Sequence, residues 1–309
     1  MILPISFYEQ AFQLVNKFNT RGVKVVHSIQ TNGTLITQSW CDFIKQHHVQ
    51  IGVSLDGPAH IHNLNRIDRA GNGTFERTMQ GINLLQKNDI HPAILVVLTK
   101  YSLNFPDAIW QFLIEHNFTN LAFLPEEVLV ANKQSTLKTE KELLLYKKFL
   151  RRILELRALC EVPPYIREIN TLIERMELLA SPAPSLDTVP AAFLSFDYKG
   201  NMSTFSSELL ITSHPPYDNF AFGNIHQCNP DAIFSNQKFL EVYKQVQTGI
   251  TRCQETCDYF ALCGGGSPVH KLCENGDFAS TETMYCKLKI KATTDILLDF
   301  LEDEYKATK

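Results

Sequence analysis

The sequence predicts an α/β fold, a parallel sheet or barrel, followed by a second part organised around a cysteine-rich loop. Three observations carry that reading. Helix and strand periodicities alternate as far as residue 124, the alternation then gives way to long helices and a Pro-rich connector, and five of the eight cysteines fall between Cys253 and Cys286.

Taken in order, Pro4 to Thr20 places Phe7, Ala11, Leu14, Val15 and Phe18 at helical spacing, and the β-branched run KVVHSI from Lys24 to Ile29 follows as a strand. TQSWCDFIKQHH reads as a second helix with Thr37 at its N-cap, before the strand QIGVSL from Gln50 to Leu55. Thr74 is placed to cap FERTMQGINLLQKN, PAILVVL from Pro92 to Leu98 is a buried-type strand, Ser102 to Asn117 is helical, and NLAFL from Asn120 to Leu124 is a fourth strand. Long amphipathic helices follow from about Thr139 to Leu159 and from Ile166 to Leu179, and the connector SPAPSLDTVP at 181–190 marks a domain boundary. Beyond it, AAFLSFDYKGNMSTFSSELL is a hairpin turning near Lys199-Gly200-Asn201, since Gly and Asn tolerate positive φ in tight turns. A helix near Asp231 to Gln247, the cysteine loop and a C-terminal helix from about Lys287 to Glu304 complete the chain, with no internal repeat.

Composition narrows the function classes. At 309 residues, 44% hydrophobic and 20% charged, the chain is long enough for one large core or two smaller ones. A formal charge of −4 gives no reason to expect nucleic acid or an anionic membrane as partner. The N-terminal MILPISFYEQ has neither the basic nor the apolar region of a signal peptide, and no segment keeps about 18 apolar residues together. A cytoplasmic protein with a small or peptidic partner is expected. In that compartment thiols stay reduced, so a cysteine cluster points to metal or redox chemistry before disulfides.

The thiols are spaced Cys253-x3-Cys257-x5-Cys263-x9-Cys273-x12-Cys286. Structural zinc is one reading, although only Cys253 and Cys257 stand at the two-to-four-residue separation that zinc sites favour. A disulfide framework is a second, and it requires an oxidising compartment. The leading reading is an iron–sulfur cluster, held by several thiolates on one loop and another brought back from further along. Four thiolates suffice for one cubane, so Cys253, Cys257, Cys263 and Cys286 are the expected ligands and Cys273 is spare. Gly264 to Gly266 let backbone approach closely and free N–H groups to point at a negative cluster, the alternative being an ordinary flexible turn.

The segment CQETCDYFALCGGGSPVHKLCENGDFASTETMYC resembles the auxiliary-cluster segment of radical SAM/SPASM peptide maturases, particularly those that install cyclophane cross-links in ribosomally made peptides. QTNGTLIT from Gln30 to Thr37, GVSLDGPAHIHNLNRIDRAGNGTF from Gly52 to Phe75, FDYKGNMSTFSSELL from Phe196 to Leu210 and FGNI from Phe222 to Ile225 are similar to successive segments of that family. Each piece is short, but they occur in the family's order across nearly the whole chain. Anaerobic sulfatase-maturating enzymes are more distant relatives with the same layout.

The resemblance implies a partial TIM-like (β/α)6 radical SAM barrel over 1–180, lacking its first strands, the connector 181–190, and a SPASM-type iron–sulfur domain over 191–309. It implies an auxiliary [4Fe–4S] cluster and S-adenosylmethionine as cofactors, with a precursor peptide and an electron donor as partners. Members of the family cleave S-adenosylmethionine to a 5′-deoxyadenosyl radical and take hydrogen from an unactivated carbon of the peptide. They begin their barrel with a CxxxCxxC loop and carry a Gly-Gly-Glu-Pro segment; neither occurs here, Cys41 and Cys160 being far apart inside predicted helices. MILPISFYEQ is similar to text that follows Gly-Gly-Glu-Pro, so the resemblance implies the interior of a longer protein, inactive alone for want of the initiator motif. The alternative class is a non-catalytic iron–sulfur or zinc protein that binds a peptide or a partner maturase.

Strand ends of a parallel barrel are where side chains meet ligands, and by resemblance Gln30, Asn32, Ser54 and Asp56 are the cofactor-facing groups. Asp56 in LDGP is also explicable as a plain Asp-Gly turn. His62, Arg66 and Arg69 are candidates for gripping a peptide or carboxylate, against the alternative of a solvated basic loop. Glu126 and Glu127 follow the fourth strand, where a carboxylate can meet a ribose or a peptide donor. Asp197 and Asn201 read as structural parts of the hairpin. STFSS at Ser203 to Ser207 lacks the cysteine and aspartate that the sulfatase-maturating relatives carry there, which favours a single auxiliary cluster, and Cys228 is incidental.

Overall fold

The computed structural model describes residues 2–130, 132–178 and 184–307. The chain gathers into two compact units, Met1–Leu124 with Phe149–Glu168, and Pro125–Lys148 with Ile169–Lys309. This grouping assigns 125–148 and 169–178 to the second unit, whereas composition alone set the division at the connector, of which 181–183 lie outside the described residues.

Along the chain run α1 (Ile5–Phe18), β1 (Ser28–Thr31), α2 (Gln38–Gln46), β2 (Gln50–Ser54), the single turn α3 (Ala59–His62), α4 (Phe75–Lys87), β3 (Ala93–Leu98), α5 (Pro106–Glu115), β4 (Asn120–Pro125), α6 (Glu140–Ala158), β5 (Tyr165–Ile166) and α7 (Arg167–Glu177). The five strands form one parallel sheet in the order β1-β2-β3-β4-β5, as the alternation of helix and strand requires. Its core reads as continuous apolar strand text: Val53, Ile94, Val96, Leu98 and Leu121 have no exposed surface, and Ile82, Leu85, Ile109 and Leu113 cover them from the helices.

The expected elements shift where tertiary pairing decides. β1 starts at Ser28, four residues after the predicted start, because the ladder opens where Gln50 N–H donates to His27 O, and Val23, Val25 and Val26 stay exposed. The helix predicted over 102–117 breaks into a 3-10 turn, Ser102–Asn104, and α5, since Pro106 sets a new first helical position. β5 is two residues long, too short for a readable period. Thr74 does not cap α4 with its side chain; its hydroxyl is engaged elsewhere, and Asn63 Oδ1 accepts from Phe75 N–H instead (3.0 Å).

The second unit carries an antiparallel sheet of β6 (Leu194–Phe196), β7 (Asn201–Thr204) and β8 (Gly223–Asn224), then α8 (Gln237–Thr256), α9 (Phe260–Cys263), α10 (Pro268–Asn275), α11 (Met284–Cys286), a π-helical stretch Lys287–Ala292 and α12 (Thr293–Ala307). The hairpin turns where expected, with Gly200 at φ +80° and the Asp197 carboxylate accepting from the N–H groups of Lys199 and Asn201. α8 begins later than predicted, capped by Asn236, whose side chain accepts from Phe239 N–H. It runs past Gln247 to Thr256, because Val242, Val246, Gly249 and Cys253 continue one buried face. Met202, Phe205, Phe220, Phe222, Phe239 and Phe278 centre this unit's core. Among the described residues no helix is long and apolar enough to cross a membrane.

Candidate functional site

Two places gather the residues singled out by the sequence, one in each unit. In the first, parallel pairing of Gln30 with Gly52 brings the C-terminal ends of β1 and β2 side by side. Gln30 Nε2 donates to Ser54 Oγ at 3.1 Å. A Cβ on Gly52 would lie 2.0 Å from Gln30 Oε1, so the glycine in QIGVSL is what lets the Gln30 side chain cross to β2. Exposed Asn32 caps its own turn, its Oδ1 accepting from the N–H and hydroxyl of Thr34.

Behind these groups lies a closed network. Buried Asp56 accepts from Arg66 Nε at 2.6 Å and Nη2 at 2.8 Å, a bidentate pair, and its Oδ1 also takes Val97 N–H at 2.9 Å. The Asp56 N–H donates to His62 Nδ1 (3.3 Å), which leaves the ring proton on Nε2, 3.1 Å from Thr74 Oγ1, whose hydroxyl passes on to Arg66 O. Burial holds the fully enclosed His62 neutral, its pKa lowered to about 4; Asp56 pulls the other way and Arg66 adds to the lowering. The peptide-gripping expectation for His62 and Arg66 is therefore corrected: both hold their own loop, and only Arg69 of the three is exposed.

In the second unit, the four expected ligands come from three helical pieces and a cap. Cys253 lies in the last turns of α8, Cys257 is its C-cap, Cys263 ends α9 and Cys286 ends α11. Burial raises the Cys263 pKa, and the thiols of Cys257 and Cys253 raise it further. Cys286 is pushed up to about 12, first by burial and then by Cys263, with Cys257 adding and Lys291 opposing. Cys263 thus stands within electrostatic reach of Cys253 and Cys257, and Cys286 within reach of Cys263 and Cys257. Gly264, Gly265 and Gly266 all have positive φ; Gly264 N–H is spent on Phe260 O (2.8 Å), and the backbone N–H groups of Gly265 and Gly266 pull the Cys263 pKa back down. A Cβ on Gly265 would meet Ile250 Cγ1 at 2.9 Å. Among the described residues no group of three or more His, Cys, Asp or Glu side chains is placed to hold a metal ion.

The remaining candidates separate from these thiols. Cys273 packs against the second unit's core, and its raised pKa comes from burial, Glu208 and Glu274 rather than from other cysteines. Cys228 packs against the same core. Cys41 is fully buried in α2 as expected; Cys160 lies just past α6 and is only half-buried, because the helix ends at Ala158. Glu126 is spent on Thr136, accepting from its N–H and hydroxyl at 2.6 Å. Glu127 Oε2 lies 3.2 Å from buried His270 Nε2 in a geometry that makes no hydrogen bond, and the His270 ring stacks on Tyr285 at 3.6 Å. Sequence reasoning missed His270 and its neighbour Lys271. The only signal was their position in the loop, four and five residues after the triple glycine.

No family model matches the chain. An uncharacterised protein of Synechocystis sp., sll1766, is 39% identical over 307 residues, covering 97% of this chain and 76% of that protein. The cysteine-type anaerobic sulfatase-maturating enzyme of Clostridium perfringens (strain 13 / Type A) is 28% identical over 273 residues, 86% of this chain and 70% of the enzyme. The structure of native anSMEcpe with bound AdoMet and Cp18Cys peptide superposes with a TM-score of 0.76 at 25% identity, covering 99% of this chain and 83% of that one. The fold and these matches define a homologue of the anaerobic sulfatase-maturating enzymes, which are radical SAM proteins. Within that class the chain belongs to one family with the Synechocystis protein.

Proposed function

We propose that this chain is a SPASM-type peptide-modifying protein that works with S-adenosylmethionine, cross-links a ribosomally made precursor peptide, and carries an auxiliary [4Fe–4S] cluster on Cys253, Cys257, Cys263 and Cys286. The single observation that carries the reading is the gathering of those four thiols, with Cys273 and Cys228 turned instead into the core. Burial and neighbouring thiols keep protons on Cys263 and Cys286; coordination to cationic iron would remove that penalty, and four sulfur donors from one segment are the donor chemistry a cluster takes. When bound, the cluster supplies a buried one-electron acceptor.

The chain's own residues do the rest. Gly265 and Gly266 direct N–H dipoles at one ligating sulfur. At the strand ends we assign Gln30, Asn32 and Ser54 to hydrogen bonds with S-adenosylmethionine, and Asp56, tied to Arg66 and Val97, to holding β2 and β3 in place for them. The peptide assignment is supported by the likeness to a protein captured with AdoMet and a peptide. As functional domains we assign 1–180 and 191–309 joined by 181–190, although 125–148 and 169–178 gather with the second compact unit, and an electron donor as a further partner. Anaerobic reconstitution of the chain with iron and sulfide tests the reading. About four irons and four sulfides per chain are expected. Uptake of a single zinc in place of iron, or no uptake, overturns it.

A further inference from the structure

Lys271, on α10, is 4% exposed, and its Nζ lies 3.4 Å from Cys253 Sγ. Among the described residues no carboxylate pairs with it. A buried ammonium costs several kcal/mol unless negative charge answers it. Gly249, one helical turn before Cys253, lets the 278–280 backbone and the lysine come close to α8: a Cβ there would meet Phe278 O at 2.5 Å, Nζ at 3.0 Å and Ser280 O at 3.1 Å.

We infer that Lys271 is a fixed cation that raises the reduction potential of the cluster by pairing with the Cys253 thiolate. This rests on the cluster assignment above. Reduction by one electron adds negative charge to the cluster and its sulfurs, and a full positive charge against one ligating sulfur stabilises the reduced form more than the oxidised one. The Gly265 and Gly266 dipoles act in the same direction at Cys263, with partial charges only. Lys271 is a positioning and tuning group; it touches a ligand, not the substrate.

The test is an EPR-monitored redox titration of the full, anaerobically reconstituted chain, alongside its iron content. Lys271→Met keeps the apolar stem and removes the charge. It is expected to load the same iron as the parent and to shift the one-electron equilibrium at least tenfold toward the oxidised cluster, 59 mV more negative. Lys271→Arg restores the charge and is expected to stay within about threefold of the parent, less than half that shift. A Met variant with full iron and an unchanged potential overturns the inference. Should that variant fail to fold, Lys271→Gln takes its place: the same tenfold shift supports the inference, and a parental potential sinks it. If the parent chain takes up no iron, the cluster assignment fails first and the role of Lys271 falls with it.

Discussion

The strand ends of the first unit and the thiol-bearing segment of the second both bury polar groups, and they do so in opposite ways. At the strand ends the chain closes its own account of charge: Asp56 meets Arg66 and Val97 N–H, and both nitrogens of His62 are bonded. In the second unit burial and neighbouring thiols raise the pKa of Cys263 and Cys286, and Lys271 has the Cys253 sulfur for its partner where a carboxylate would be usual. A finished network holds geometry. Thiols held protonated by burial, with a buried cation against one of them, leave charge unanswered within the chain, and under the proposed function it is metal that answers it.

The comparison breaks most visibly at Cys263. Cys263→Ser is expected to abolish nearly all iron uptake, whereas Cys273→Ser, altering a core position, keeps it; iron and sulfide analysis after reconstitution decides, and equal losses would erase the distinction between ligand and spare. Next in size is Asp56→Ala, which leaves Arg66 and Val97 N–H without their partner and should cost about 3 kcal/mol, read as a lower urea midpoint of the first unit. Iron uptake should be unaffected by it.

A smaller effect follows from His62. Its folded pKa of about 4 lies below the ordinary value of 6.5, so the unfolded chain binds more protons between those values. The contribution is fully present above about 6.5 and is lost as pH falls through about 4. Urea midpoints should therefore decline across that window, and His62→Gln, less stable at neutral pH, should show a flatter profile. The smallest change is Gly52→Ala. Its Cβ displaces the flexible end of Gln30, breaks the bond to Ser54 and costs about 1 kcal/mol. A chain that kept its full stability would show that Gln30 simply re-routes.

Much of this was legible in the residues. The alternating sheet is readable because helices and strands declare themselves by local period, and the 199–201 turn because Gly200 alone tolerates its φ of +80°. The four-thiol set is readable because its members lie in one short stretch. Asp56 was found, but as a ligand-facing group; its actual partners lie 10 and 41 residues away, at Arg66 and Val97. Arg66 and His62 were read as a solvated or peptide-gripping loop for the same reason, since a basic residue's partner is not written next to it.

The order of elements, the hairpin and the clustering of cysteines were thus determined by the sequence itself, through periodicity, backbone freedom and spacing. Only the tertiary structure decided which buried charge answers which: Arg66 to Asp56, and Lys271 to Cys253 across 18 residues. Local propensity acts over a few residues, but the cost of burying a charge is settled by whatever the fold brings within a few ångströms of it.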